Sequence, residues 1–110
     1  MTDERIEKIK SAVDAADHIP AEKKAELLEI LANLKPAIAK VAETHPEDAQ
    51  SIGQSVEASV QIAAREHKRP ERVERAVREL KESVEKFEAS HPDLAAFVNR
   101  YSTLLSALGI

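Results

Sequence analysis

An apolar seam with the same spacing occurs twice in this chain of 110 residues, and the two copies lie 46 residues apart. Successive apolar residues in each copy are separated by 4, 3, 4 and 3 positions, which places them along one side of an α-helix. The seams are Leu27, Leu31, Leu34, Ile38 and Val41, then Val73, Val77, Leu80, Val84 and Phe87. Each seam must be covered by another helix, so the chain is restricted to folds in which helices pack on helices.

A histidine–proline pair follows each seam and predicts a corner between two helices. His45-Pro46 follows the first seam, and His91-Pro92 follows the second. Proline is favoured in the first turn of a helix because its missing N–H group would have no partner there. The sequence therefore predicts two helical hairpins, which a duplication would relate, with both corners at one end of the molecule. The second seam lies on a helix predicted to run from Pro70 to about residue 89.

The complete pattern predicts one all-α domain over residues 1–110, an up-down antiparallel bundle of four main helices with an N-terminal helix beside it. We expect the N-terminal helix within residues 1–18, the first hairpin over 20–66 and the second over 70–110. Short connections favour this arrangement because they place successive helices antiparallel. Pro36 falls inside the second helix, where we expect a kink more than a break, since the seam keeps its phase beyond it.

Composition excludes several classes of function. The absence of cysteine excludes disulfides, thiol nucleophiles and thiolate zinc sites, and it agrees with a reducing compartment, so we expect a cytoplasmic protein. Two glycines cannot build a phosphate-binding loop or a dinucleotide fingerprint. No apolar run approaches the roughly 18 residues that span a membrane, so we expect no membrane insertion. We predict no cofactor, and no small-molecule substrate is evident.

The histidines of the two corners are candidate metal ligands or pH sensors. With nearby carboxylates such as Glu47 and Asp93, His45 and His91 could ligate zinc or titrate together near neutral pH. The simpler interpretation is that each histidine–proline pair begins a helix, with an imidazole that caps the helix or is solvated. We therefore predict no metal site.

The densest basic stretch runs from Arg65 to Arg78 and is a candidate nucleic-acid contact. Glutamates are interleaved with its arginines at distances of three or four residues, where opposite charges meet on one helix. Phosphate binding instead needs cations that converge on a groove, and no aromatic stacking residue accompanies these. The net charge of −4 also opposes it, so nucleic-acid association is the weaker alternative.

Three serines recur at intervals of four residues, Ser51, Ser55 and Ser59, and this spacing suggests hydrogen bonding across helices or, in another setting, a reactive hydroxyl. Nucleophilic catalysis needs a base at a defined distance, and no such base accompanies them. The stripe is typical of a solvated or closely packed helix face. We predict no catalytic residue and no enzyme.

The last 24 residues, FEASHPDLAAFVNRYSTLLSALGI, carry the pattern FExSHPxLxxxxNxxxxxLxxLGI. This segment resembles the C-terminal signature of a family of short bacterial all-helical proteins of unknown function. The chain is longer between its first and last helices than typical members of that family. The resemblance implies a small helical bacterial protein with no assigned activity, so no catalytic or binding residue can be carried over.

These features predict a non-enzymatic module for protein–protein interaction or oligomerisation, most simply a homodimer. Apolar surface left on amphipathic helices is commonly covered by a partner helix, and Leu28 lies off the first seam. Asn99 and Arg100 lie opposite the apolar face of the last helix, and with Leu28 they are the predicted partner surface. The partner is a second copy or another protein. The alternatives are a metal- or pH-responsive bundle acting through the two corner histidines, and a weak nucleic-acid-associated protein acting through the basic stretch.

Overall fold

The computed structural model describes residues 3–65 and 70–109 of the chain, and within those ranges it contains five α-helices and no strand. The helices are α1 (Asp3–Ala15), α2 (Ala21–Thr44), α3 (Pro46–Arg65), α4 (Pro70–Val84) and α5 (Pro92–Gly109). A short 3-10 helix, Glu85–Phe87, follows α4. The predicted all-α fold class is confirmed.

Helices α2 to α5 form an up-down bundle in which each helix packs against two neighbours. Helix α2 packs against α3 and α5, and α4 packs against the same two helices from the other side. Helices α3 and α5 also meet across the centre of the bundle. Helix α1 packs on α3 and α2, and within the described residues it has no contact with α4 or α5. The bundle with one additional N-terminal helix is therefore the arrangement that the sequence predicts.

The two seams supply the centre of the core. All ten seam residues are buried, with at most 5% of their surface exposed. Pro36 does not divide the first seam, because α2 continues as α-helix on both sides of it. The second seam ends differently from the prediction: α4 stops at Val84, and the tighter turn that follows carries Phe87 into the core. The prediction of one α-helix reaching residue 89 is therefore wrong in its last turn.

Helix α1 is attached to its own bundle by two buried side chains, Ile9 and Val13, and by polar contacts along its length. The polar contacts to α2 and α3 are Asp3 with Lys35, Arg5 with Glu57, and the Lys24 ammonium with the backbone carbonyl of Asp14. Helix α1 thus covers the side of the bundle where α2 and α3 meet. The side of α2 that faces α5 lies beyond its reach.

A small polar cluster lies inside the core, where α3 meets α5. The Tyr101 hydroxyl donates to the Val56 carbonyl at 3.0 Å. The Ser59 hydroxyl lies 2.8 Å from the same carbonyl oxygen and 2.5 Å from the Tyr101 oxygen, to which it can donate. Burial raises the pKa of Tyr101 far above its ordinary value, because a phenolate would lose its hydration there, and the hydrogen bond from Ser59 offsets only part of this. The serine stripe therefore contributes one core hydroxyl, Ser59, whereas Ser51 is exposed.

This burial predicts a loss of stability in alkali. The folded-state pKa of Tyr101 lies above its unfolded value of about 10, so its contribution is complete below that pH and is lost as the pH rises further. We expect the free energy of unfolding to fall by up to about 1.4 kcal/mol per pH unit above pH 10 from this residue alone. Urea unfolding of the wild type and of Tyr101→Phe between about pH 8 and pH 11 measures the difference. Equal slopes for the two proteins would contradict the prediction.

Candidate functional site

Two of the three residues predicted to form a partner surface lie in an open groove between α2 and α5. Asn99 and Arg100 are exposed on α5 and line a depression of about 690 Å³. Across the depression α2 contributes Lys23 and Glu26, and Ile30 lies at its floor with Leu104. The two predicted surface residues on α5 therefore line a concave part of the molecular surface.

A second depression, of about 370 Å³, continues along the same pair of helices towards the histidine corners. It is lined by Asn33, Pro36 and Lys40 of α2 and by Asp93 and Phe97 of α5, among others. We call the two depressions together the α2–α5 groove.

The lining residues also define the register of the two helices. Residues 23–30 of α2 share the first depression with residues 99–107 of α5, and residues 33–40 share the second with residues 90–97. The two helices are therefore antiparallel, and early residues of α2 lie at the height of late residues of α5. Arg100 consequently lies at the height of Ile30, and Asp93 lies near that of Ala37.

The α2–α5 groove has an apolar floor between charged walls. Ile30 and Leu104 are only 5% and 8% exposed, and Phe97 is half-buried against the core. On the walls, the Lys23 ammonium pairs with the Glu26 carboxylate at 3.4 Å.

Four further charged side chains on the walls are exposed, and none of them makes an ion pair with another described residue: Glu29, Lys40, Asp93 and Arg100. A surface with this composition resembles a protein interface, in which an apolar centre is surrounded by polar groups.

Leu28, the third predicted surface residue, lies on the other flank of α2. It follows Lys24 by four residues and precedes Lys35 by seven, so the three side chains share one side of the helix. Lys24 and Lys35 both bond to α1, and Leu28 is half-buried against the core. The off-seam contact predicted for Leu28 is thus made within the chain, and the structure does not bring Leu28 together with Asn99 and Arg100.

The two histidine corners do lie at one end of the bundle, and the Phe87 ring joins them. The ring contacts both imidazoles edge to face, with centroid distances of 5.3 Å to His45 and 5.8 Å to His91. Lys86 lies over the same ring at 5.5 Å and donates to Asp48 of α3 at 2.8 Å. Phe87 therefore fastens the end of the first hairpin to that of the second.

The backbone of each histidine ends one helix and begins the next. The backbone N–H of His45 donates to the backbone carbonyl of Val41 at 2.7 Å, and the His45 carbonyl accepts from the N–H of Ala49 at 3.0 Å. At the second corner, the backbone N–H of His91 donates to the backbone carbonyl of Phe87 at 2.7 Å, and the His91 carbonyl accepts from the N–H of Ala95 at 3.3 Å. The second corner therefore repeats the hydrogen bonds of the first, 46 residues later. Within residues 3–65 and 70–109, no three histidine, aspartate or glutamate side chains converge closely enough to hold a metal ion.

The basic stretch is divided between two helices. Arg65 ends α3, and Arg72, Arg75 and Arg78 are exposed on α4. Arg75 and Arg78 lie on the side of α4 opposite its buried seam, and Arg72 lies on its flank. Lys68 and Arg69, which the basic-patch alternative also includes, lie outside the described residues. The exposed arginines lie on the outer face of α4, at a distance from the α2–α5 groove.

Comparison of the chain with protein-family models, with curated proteins and with solved structures finds no significant match. Membership of the family that the last 24 residues resemble thus stays a prediction. Among the helices of the described residues, none combines the length and the apolar character needed to cross a bilayer.

Proposed function

We propose that this chain is a non-enzymatic interaction module that binds a protein partner in the α2–α5 groove. The observation that carries the proposal is the apolar floor, formed by Ile30, Leu104 and Phe97, beneath walls of mixed charge. Binding of a partner would remove from water the part of this floor that is still exposed, while the wall charges would select and orient the partner. The position of Asn99 and Arg100 on the same wall supports the proposal, because sequence reasoning alone selected these residues.

Substitution of Thr103 by arginine tests the groove as the binding surface. Thr103 is exposed on the wall beside Arg100, so the change adds a long cation to the groove and leaves the core untouched. We expect Thr103→Arg to weaken association by about tenfold or more, equivalent to about 1.4 kcal/mol. The binding is measured by light scattering for self-association, and by retention of lysate proteins on the immobilised chain.

Ser51→Arg is the matched control, because Ser51 is an exposed hydroxyl on α3, outside the groove. It should bind as the wild type does. The proposal is supported only by binding that Thr103→Arg loses and Ser51→Arg keeps. Two results together would overturn the proposal. The wild-type chain would stay monomeric at about 100 µM, which is far above a typical micromolar dissociation constant. Every lysate protein that the wild type retains would also be retained by Thr103→Arg.

A further inference from the structure

Four wall charges form no ion pair among the described residues, and they suggest what fills the α2–α5 groove. From their arrangement we infer that the occupant is a second copy of this chain, related to the first by a two-fold axis parallel to the helices. This inference rests on the proposed function and gives it a specific partner and geometry.

The charges of the groove are balanced in a way that suits self-association. Glu29 and Asp93 carry negative charge, Lys40 and Arg100 carry positive charge, and the remaining pair, Lys23 with Glu26, neutralises itself. A strongly acidic or basic wall would repel its own copy, whereas this wall offers equal numbers of both signs. In a two-fold interface each contact occurs twice, so one complementary pair contributes two ion pairs.

The antiparallel register determines which charges would meet. A two-fold axis parallel to the helices lays α2 of one copy on α5 of the other, with residues at equal height facing each other. Glu29 then meets Arg100 of the second copy, because both lie at the height of Ile30. Lys40 comes within about 5 Å, in height along the helix, of Asp93 of the second copy, since three residues separate it from Ala37.

The other simple two-fold arrangement has an axis perpendicular to the helices, which would lay α2 of one copy antiparallel on α2 of the other and α5 on α5. Glu29 would then face the second α2, and Arg100 would face the second α5, so these two charges would not meet. Of the two axes, the one parallel to the helices brings Glu29 to Arg100. An exchange of these two charges therefore tests that axis.

The size of the groove indicates a weak dimer. The stretch of α2 from residue 23 to residue 40 is about 26 Å long, and two helices side by side are about 20 Å wide. A footprint of roughly 500 Å² per copy lies at the small end of specific interfaces. Association is therefore expected at micromolar or higher concentrations, and the experiment must cover that range.

Exchange of the charges of one pair tests the inference. In Arg100→Glu alone, Glu29 would face a glutamate, and in Glu29→Arg alone, Arg100 would face an arginine. We expect each single variant to dimerise at least about tenfold more weakly than the wild type. An equimolar mixture of the two should form a heterodimer of near wild-type affinity, because both of its pairs regain opposite charges. Native mass spectrometry distinguishes the three dimers by mass, and sedimentation equilibrium gives their affinities.

Arg78→Glu on the exposed face of α4 is the control and should dimerise as the wild type does. Restoration in the mixture supports the inference. If the wild type dimerises but neither single variant weakens the dimer, or the mixture of the two binds no more tightly than each variant alone, the pair formed by Glu29 and Arg100 is overturned. The proposed function is then unaffected. A monomeric wild type that still binds another protein in a Thr103-dependent manner overturns the second copy as the occupant. If the wild type shows no binding that Thr103→Arg removes, the proposed function itself is overturned.

Discussion

Replacement of Leu34 or Leu105 by alanine is expected to lower the free energy of unfolding by about 2 to 5 kcal/mol. Both side chains are 0% exposed, and they enter the core from neighbouring helices, α2 and α5. Truncation loses the transfer free energy of the removed carbons and leaves a cavity that the rigid surroundings only partly fill. Urea unfolding followed by circular dichroism gives the value, and the unfolding should remain one cooperative transition.

Arg100→Ala is the control for this experiment. Its side chain is exposed in the α2–α5 groove, so its removal should change the free energy of unfolding by no more than about 0.5 kcal/mol. The difference between core and groove separates residues that maintain the fold from residues available to a partner. A leucine variant as stable as Arg100→Ala would show that the seam is not the core.

Replacement of Phe87 by alanine is expected to cost about 3 to 5 kcal/mol, the usual range for a buried aromatic side chain. Phe87 is the last residue of the second seam, and its ring is the common neighbour of the two corner imidazoles. Its removal should therefore loosen the end of the bundle where the two hairpins meet. Chemical denaturation gives the stability, and the NMR shifts of the imidazole protons of His45 and His91 report the local change, since both lose the same ring current.

Two variants separate the ring from its surroundings. Phe87→Leu keeps most of the apolar volume and should recover much of the stability, while the imidazole shifts still move. Lys86→Ala removes an exposed cation above the ring and should have little effect on stability, because exposed charge contacts are weak. A stable Phe87→Ala protein with unchanged imidazole shifts would mean that the ring does not join the corners.

The fold was readable from the sequence because its main determinants are local. A spacing of 4, 3, 4 and 3 defines one side of a helix wherever it occurs, and all ten residues with that spacing are buried. Proline after histidine limits where a helix can begin, and both corners lie where the sequence places them. These signals need only a few neighbouring residues, so they can be recognised without knowledge of the packing.

The candidate site was only partly readable, because it depends on which helices become neighbours. Residue spacing places Asn99 and Arg100 away from the core, yet it does not specify that α2 supplies the facing wall. Spacing likewise places Leu28 off the seam, but not on the flank that α1 covers. The pair formed by Ser59 and Tyr101 joins residues 42 positions apart, and no periodic signal in either segment indicates the other.

The common end of the two histidine corners has a consequence for any paired form of the molecule. A two-fold axis that runs along the bundle places the same end of both copies together. The two ends of the dimer would therefore differ, and the four imidazoles of His45 and His91 would lie at one of them. Both copies of α5 would finish side by side at the opposite end. Fluorophores attached near residue 107 would then report pairing through energy transfer, whereas a head-to-tail arrangement would hold them about a full bundle length apart.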